Sequence, residues 1–446
     1  MGGDSYWRVE MAEILPFHGV LYDPATVGDV TAVVAPPYDV IGPGEQAALY
    51  DRHPCNVVRL ELGREHPGDG PQDSRYTRAK RFLEEWLRDG VLRRDGRPAI
   101  YLYAVEYRLP SGAVRTMRGF LSLVKLEEFG TGRIFPHENT RAAAKDDRYQ
   151  LLETCRSNFS PVFSLYADPA GDIIRTLEAE DGGRPRIAVT DSDGGRHRLW
   201  TVTDPAALEQ VVAAMKPLPL FIADGHHRYE SALRYRHAQR KAHGGSGTLP
   251  SDWVLMYFSN LDDPGLTILP THRVLPGPLP CPAAAIRQRL AETFTLEAFP
   301  FTAGTEPAAR AKFLNALHAA QAGDAHVMGL VIRGELRYDL LSLNPTGLSR
   351  LGLSALERLD VSILQELVFR GALRLTPQDE ERLVYVKEEK EAIAAVARGD
   401  GELAFLLNPP KVTEVKDVAR VGDRMPHKST YFYPKPLTGL VLNVME

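Results

Sequence analysis

The run Leu218-Pro219-Leu220-Phe221-Ile222-Ala223 ends at Asp224-Gly225 and passes straight into His226-His227-Arg228-Tyr229-Glu230-Ser231-Ala232-Leu233. An apolar strand that stops at Asp-Gly and hands over to an amphipathic helix commits this part of the chain to an α/β arrangement. It also makes a place for an anion. A helix start leaves backbone N–H groups without intrahelical partners and carries the positive end of the macrodipole, so phosphate oxygens there meet donors already aimed. Gly225 allows close backbone approach, Arg228 offers a forked guanidinium, and His226 and His227 add donors whose charge titrates near neutrality. Asp224 repels a bare phosphate, which leaves it a metal ion, a ribose hydroxyl or the helix start itself as partner. A turn with a polar cap is the plainer alternative for the same residues. One metal ion does not suit both histidines, because neighbours on a helix point about 100° apart and no cysteine is close in sequence.

The chain has 446 residues, 44% hydrophobic and 25% charged, the make-up of a globular protein long enough for two or three cores. Lys plus Arg number 53 against 58 Asp plus Glu, a formal charge of -5, so no global basic field argues for DNA. Cys55, Cys155 and Cys281 fit neither a disulfide framework nor a Cys-x-x-Cys motif, which points to a reducing cytoplasm. No apolar run reaches the roughly 18 residues that span a bilayer, and residues 1–10 lack the layout of a signal peptide. No membrane partner is expected.

Along the chain, Asn56 to Leu62 reads as a buried strand, and Ser74 to Asp89 as a helix with Phe82, Leu83, Trp86 and Leu87 at helical spacing and Gly90 as its stop. Ile100 to Leu109 and Ala113 to Leu126 form a hairpin across Pro110-Ser111-Gly112. A helix from Tyr149 to Asn158, a strand from Pro161 to Tyr166, a hairpin turn at Asp191 to Gly195, a helix from Pro205 to Met215 and a strand from Trp253 to Asn260 follow. The Asp191 cluster lacks the downstream glutamate of a calcium loop, and no metal is assigned to it. After the proline-dense Pro276 to Pro280 come helices at Ala283 to Phe294, Ala308 to Gln321, Ser362 to Arg370 and Glu389 to Arg398, with strands at His326 to Arg333, Leu336 to Leu343, Leu383 to Val386 and Leu403 to Leu407. The organisation expected is three mixed α/β parts, 1–126, 127–275 and 276–446. The last ends in a basic, aromatic segment, Lys428-Ser429-Thr430-Tyr431-Phe432-Tyr433-Pro434-Lys435, whose Lys-Ser-Thr suits phosphate although no glycine-rich run precedes it.

Ala35-Pro36-Pro37-Tyr38-Asp39-Val40-Ile41, His137-Glu138-Asn139-Thr140, Asp147-Arg148, Ala223 to Glu230, Leu269 to Arg273 and Lys428 to Lys435 together resemble, in order and over almost the whole chain, the bacterial domain-of-unknown-function family numbered one thousand and fifteen. More distantly, Pro136-His137-Glu138, the helix through Leu151 and Leu152, Ser160-Pro161-Val162-Phe163 and Asp224 to Tyr229 are similar in order to the ParB/sulfiredoxin-like fold and its free-serine kinase branch. That resemblance implies a central ParB/sulfiredoxin-like domain with a mixed α/β domain on either side. It also implies that Asp224, Gly225, His226, His227 and Arg228 grip a nucleotide, with Glu138 as base on a substrate hydroxyl beside His137. Sulfiredoxin chemistry is disfavoured, since His226 stands where that family has its reactive cysteine, and the long insertion after Pro161 keeps substrate identity from carrying over.

Phosphoryl transfer asks mainly for positioning and charge neutralisation, plus one carboxylate to orient the acceptor. The expected function is therefore a nucleotide-binding phosphotransferase acting on a small hydroxyl compound such as serine or phosphoserine. Its nucleotide is a di- or triphosphate, ATP, ADP or CTP, accompanied by Mg2+. Lys428, Ser429, Thr430 and Lys435 are expected to supplement the phosphate site. The alternative is a nucleotide-gated, ParB-like switch without small-molecule chemistry.

Overall fold

The computed structural model describes residues 12–109, 112–137, 142–245, 247–421, 423–426 and 428–445. Its largest sheet grows from the hairpin read in the sequence: Ile100–Arg108 and Val114–Lys125 pair antiparallel with Tyr101 opposite Leu121. Nine strands join in it. From one edge the order is Ile134–Pro136, Leu220–Asp224, Val162–Tyr166, Trp253–Asn260, Val114–Lys125, Ile100–Arg108, Arg196–Val202 and Ile187–Thr190, with Ile14–Leu15 also paired to Val114–Lys125. The first pair and the Val162–Tyr166/Trp253–Asn260 pair are parallel and the rest antiparallel, so the sheet is mixed. Trp253–Asn260 is buried along its whole length, as a central strand with both faces covered should be.

The described residues divide into two units, the first within Met1–Pro136, Thr140–Thr267 and Pro434–Glu446, the second within His137–Asn139 and Ile268–Tyr433. Both are mixed α/β. The second unit has a six-stranded sheet, ordered Phe294–Pro300, Arg337–Leu343, Val327–Ile332, Leu403–Leu407, His272–Leu275 and Val384–Val386, with every pair antiparallel. Its core is the apolar face of that sheet under the helices Glu306–Ala319 and Glu389–Arg398, with Phe313, Leu317, Ile393, Val396 and Leu406 buried together.

Several sequence expectations meet a different local answer. Asn56 to Leu62 is not a strand: Val58–Glu61 is a short helix. Asn56 decides it, donating from Nδ2 to the Ala32 and Val34 carbonyls at 2.8 and 3.1 Å while its Oδ1 accepts the Val58 N–H at 2.9 Å. Val58-Arg59-Leu60-Glu61-Leu62 alternates as a strand would, and the Asn56 bonds override that pattern. The helix expected from Tyr149 spans Ala142–Cys155, and Arg156, with φ 49°, ends it. The helix from Ala283 closes at Leu290, leaving Phe294 to open a strand. The segment expected as Ser362 to Arg370 begins as an α-helix at Asp360 and widens to a π-helix over Leu364–Ala372. By contrast, Arg75–Arg88 carries the expected amphipathic pattern and a reciprocal Ser74/Thr77 capping box. No helix among the described residues is long and apolar enough to cross a membrane.

Candidate functional site

Leu220–Asp224 is held between Ile134–Pro136 and Val162–Tyr166, and its register slips between Ile222 and Asp224. Such a bulge re-aims the side chain that follows it. Gly225 then takes φ 85°, a left-handed conformation that suits glycine, and the helix His226–Ala242 begins without a side-chain cap from that residue. Tyr229 fixes this helix in depth: its hydroxyl donates to the Glu127 carbonyl and accepts the Glu127 N–H, both at 2.9 Å.

The head of the helix is crowded with charge. Arg228 folds back over Gly225, donating through Nη2 to Asp224 Oδ2 at 2.9 Å and through Nη1 to the Pro161 carbonyl. A Cβ on Gly225 would meet that guanidinium at 2.8 Å, so the fold-back itself demands glycine. The other oxygen of Asp224 accepts from Lys435 Nζ at 2.9 Å, and the same ammonium reaches Asp39 Oδ2 at 2.7 Å. Lys435 is delivered by a bridge in which Ala35 and Thr438 exchange N–H···O bonds of 3.2 and 2.8 Å. Its side chain is only 8% exposed.

Tyr38, beside Asp39, lies between two guanidiniums, with Arg148 Cζ 4.1 Å and Arg228 Cζ 6.0 Å from its ring centre. Burial pushes its hydroxyl up to about 12 against the pull of both cations. Arg148 is itself buried, held by Glu61 Oε1 at 3.1 Å, the Glu61 carbonyl at 3.0 Å and Asp147. Ser160 donates to the same Glu61 oxygen at 2.9 Å. Burial works against the Arg148 charge, yet Glu61 and Asp147 outweigh it and its pKa ends above the usual value. Behind Arg228 is a cavity of about 40 Å³, lined in part by Glu61, Arg148, Ser160 and Ser231, and the buried Arg228 Nε has no hydrogen-bond partner. That space holds little more than a water molecule.

Of the remaining expected residues, His226 is buried and His227 half-buried, and burial lowers the His227 pKa against the opposing charges of Glu230, Asp224 and Asp39. His227 is thus neutral at pH 7 and offers a hydrogen bond rather than a charge. His137 belongs to the second unit, where its Nε2 is 2.8 Å from Thr430 Oγ1, its ring stands edge-on to Phe432, and its carbonyl accepts the Met425 N–H at 2.6 Å. Ser429 is buried there and donates to the Pro426 carbonyl at 2.6 Å. Lys428, with φ 59°, presents its carbonyl to Arg273 Nη2 at 3.1 Å. Glu138 lies outside the described residues. The structure therefore gathers Asp224, Gly225 and Arg228 with Lys435, and separately pairs His137 with Thr430.

Two contributors escaped the sequence reading as site residues. Arg148 stood in a quoted motif without a role, and Glu61 gave no signal, because its importance arises only from burial beside Arg148. At the Asp191 to Gly195 turn, Asp191 Oδ1 accepts the Asp193 and Gly195 N–H groups, and Oδ2 bonds His197 at 2.8 Å. Among the described residues no group of three or more His, Cys, Asp or Glu is arranged to hold a metal ion.

The model of a family described as "Protein of unknown function (DUF1015)" matches residues 14–362. No curated protein matches the chain. Among solved structures, a conserved hypothetical protein from Pyrococcus furiosus is 15% identical, with 70% of this chain and 92% of that one covered at a TM-score of 0.34. A free serine kinase variant in complex with AMP is 13% identical, with 70% and 89% covered at 0.35. SbnI with C-terminal truncation from Staphylococcus aureus is 12% identical, with 73% and 87% covered at 0.35. Likeness at this level assigns no chemistry to the chain.

Proposed function

The chain belongs to the DUF1015 family, a family of unknown function, and from its own residues we propose that it is a nucleotide-binding phosphotransferase acting on a small hydroxyl compound of the serine or phosphoserine type. One observation carries this reading: Arg228 and Lys435 converge on the two oxygens of Asp224 at the start of a helix whose N-cap is a left-handed glycine. Two oriented cations beside a helix start are what a transferring phosphoryl group needs, since its reaction draws on charge neutralisation and alignment. The ParB/sulfiredoxin-like resemblance of the central sequence belongs to the same proposal.

Asp39, Asp224, Arg228 and Lys435 together carry no net charge, so a phosphate binds by exchanging partners with the carboxylates. Arg228 and Lys435 swing part of their hydrogen bonding to phosphate oxygens, and the freed carboxylate oxygens need a new cation. A magnesium ion brought by the nucleotide meets that need, because Mg2+ in phosphate sites takes one or two protein carboxylates and its remaining ligands from phosphate and water. Asp39 and Asp224, which already share an ammonium, are the residues that would hold it; there it would offset phosphate charge. The base proposed from sequence is Glu138, with His137 beside it.

Incubating the purified chain with serine and ATP, ADP or CTP and following phosphoserine by 31P NMR tests the proposal. Phosphoserine formation that Glu138→Gln reduces by roughly 10²–10⁴ is the expected outcome for a positioned base. Nucleotide binding without any phosphoryl transfer would favour the gated switch, and the absence of nucleotide binding would remove both.

A further inference from the structure

Tyr38 stands first in the short turn Tyr38–Val40, after Pro37, whose φ of -58° is the one its ring imposes. The chain just beyond it is tied down, since Asp39 Oδ2 accepts from Lys435 Nζ at 2.7 Å and that ammonium reaches Asp224 Oδ1 at 2.9 Å. The ring is tied down as well. Arg148 and Arg228 lie 4.1 and 6.0 Å from its centre, and neither guanidinium is loose: the one is held by Glu61 and Asp147, the other by Asp224 and the Pro161 carbonyl. The hydroxyl is the exception. It bonds no described residue, and it is not among the sealed polar atoms that lack a partner, as Arg228 Nε is, so solvent reaches it. The charges of Arg148, Arg228, Asp39 and Asp224 all act on it, which places it in their cluster. Burial holds it protonated, with a pKa pushed up to about 12, so at pH 7 it is a neutral donor. A tyrosine packed against protein ordinarily finds a partner for its O–H. This one keeps a donor spare beside two cations.

We propose that the Tyr38 hydroxyl donates a hydrogen bond to a phosphate oxygen of the ligand at the Asp224 turn, and that with Arg228 and Lys435 it selects a terminal phosphate over a phosphodiester. The proposal rests on the phosphotransferase reading, in which those two cations turn part of their bonding to phosphate, and adds the class of phosphate they take. A guanidinium, an ammonium and a phenol are three separate donors. A terminal phosphate offers three oxygens free of ester bonds and a diester offers two, so only the former gives each donor an oxygen of its own. The phenol brings no charge. It adds to the grip without disturbing a cluster in which two cations already balance two carboxylates.

Methyl phosphate and dimethyl phosphate, which differ by one ester bond, test this when titrated into the full chain by calorimetry. The unaltered protein should prefer methyl phosphate. Tyr38→Phe keeps the ring beside Arg148 and Arg228 and removes no bond within the chain, so thermal unfolding should be unchanged while the preference shrinks by about tenfold or more, the worth of one hydrogen bond to a charged group. ADP and phosphoserine, titrated in the same way, show which molecule brings the terminal phosphate, because the loss in Tyr38→Phe falls on the one that does. In the unaltered chain the 13Cζ signal of Tyr38 should move as methyl phosphate is added, a readout that holds even if the variant proves less stable. An equal loss for both esters, no loss for either, or a 13Cζ signal that stays in place while methyl phosphate binds would overturn the role of Tyr38 and leave the phosphotransferase reading standing. Failure of all four probes, and of ATP and CTP, to bind the unaltered protein would overturn the two together.

Discussion

Around Asp224, two cations and two carboxylates are interlocked at distances of 2.7–2.9 Å, with only about 40 Å³ of open space behind Arg228. Around Asn408 in the second unit is a cavity of about 340 Å³, lined in part by Glu414, and an acceptor, Asn408 Oδ1, that no donor reaches. The first region is full, so the phosphate proposed for it would have to trade ion-pair partners. The second has room. The contrast separates a locked region, whose ions fix direction and choose sharply by charge, from an open one.

The sharpest break between the regions is structural. Arg148→Met should cost about 3–5 kcal/mol of stability, because it leaves the buried Glu61 without its cation while Asp147 keeps Arg75, and urea unfolding measures it. Glu414→Gln, in the open cavity, should shift the same curve by no more than about 0.5 kcal/mol. If both changes cost alike, the distinction between a locked and an open region fails.

Acid should separate the two units next. His272 is fully buried, its Nδ1 accepts the Leu407 N–H at 3.2 Å, and burial, with Arg273 and His318 adding to it, lowers its pKa to about 3. The folded second unit keeps His272 neutral while an unfolded chain protonates it near 6.5, so stability falls as pH drops from about 6.5 towards 3, by roughly 1.4 kcal/mol for each pH unit in that interval. Glu414, raised by burial, opposes this in part. In the first unit burial works to raise Asp147 and Asp191, but Arg148 beside the one and His197 beside the other outweigh it, and both end below 3.8. Their contribution is intact above 3.8 and disappears only below it, while the half-buried His227 follows His272 in direction. All four tryptophans lie outside Ile268–Tyr433, so acid titration should lose far-ultraviolet ellipticity before tryptophan fluorescence changes. Coincident transitions would contradict the assignment to His272.

Binding effects come third. Arg228→Ala should weaken nucleotide affinity by about 1.5–3 kcal/mol, the range for a hydrogen bond to a charged group, and calorimetry reads it. A more modest loss is expected of Gly225→Ala, which forces a side chain into φ 85° and should cost about 1–2 kcal/mol in thermal unfolding. Its added methyl group also displaces the Arg228 guanidinium, so nucleotide affinity should fall along with stability. A variant with unchanged affinity would mean that Arg228 does not need its fold-back.

The sequence made the strand, turn and helix at Leu220 to Ala242 readable because each local signal agreed: an apolar run, Asp-Gly, then helical spacing. The Ile100–Arg108 and Val114–Lys125 hairpin was readable for the same reason. Partnerships across long separations were not. Nothing in the apolar run of Trp253 to Asn260 names Val114–Lys125 and Val162–Tyr166 as its neighbours, and nothing in Asn56 announces that its amide will bond two carbonyls and turn an alternating run into a helix. The same limit governs the candidate site. Asp224 and Arg228 are four residues apart and could be read as a pair, whereas Glu61 acquires its part only when folding buries it against Arg148.

Lys435 follows Asp224 by 211 residues and Asp39 by 396. During synthesis the two carboxylates leave the ribosome long before the ammonium that neutralises them. Until then Arg228 offsets Asp224 while Asp39 lacks the Lys435 ammonium, and Ala35 has no Thr438 to bridge to. A nascent chain is therefore expected to carry one carboxylate in excess at this turn, and the complete ion cluster forms as a late, all-at-once event in its biogenesis.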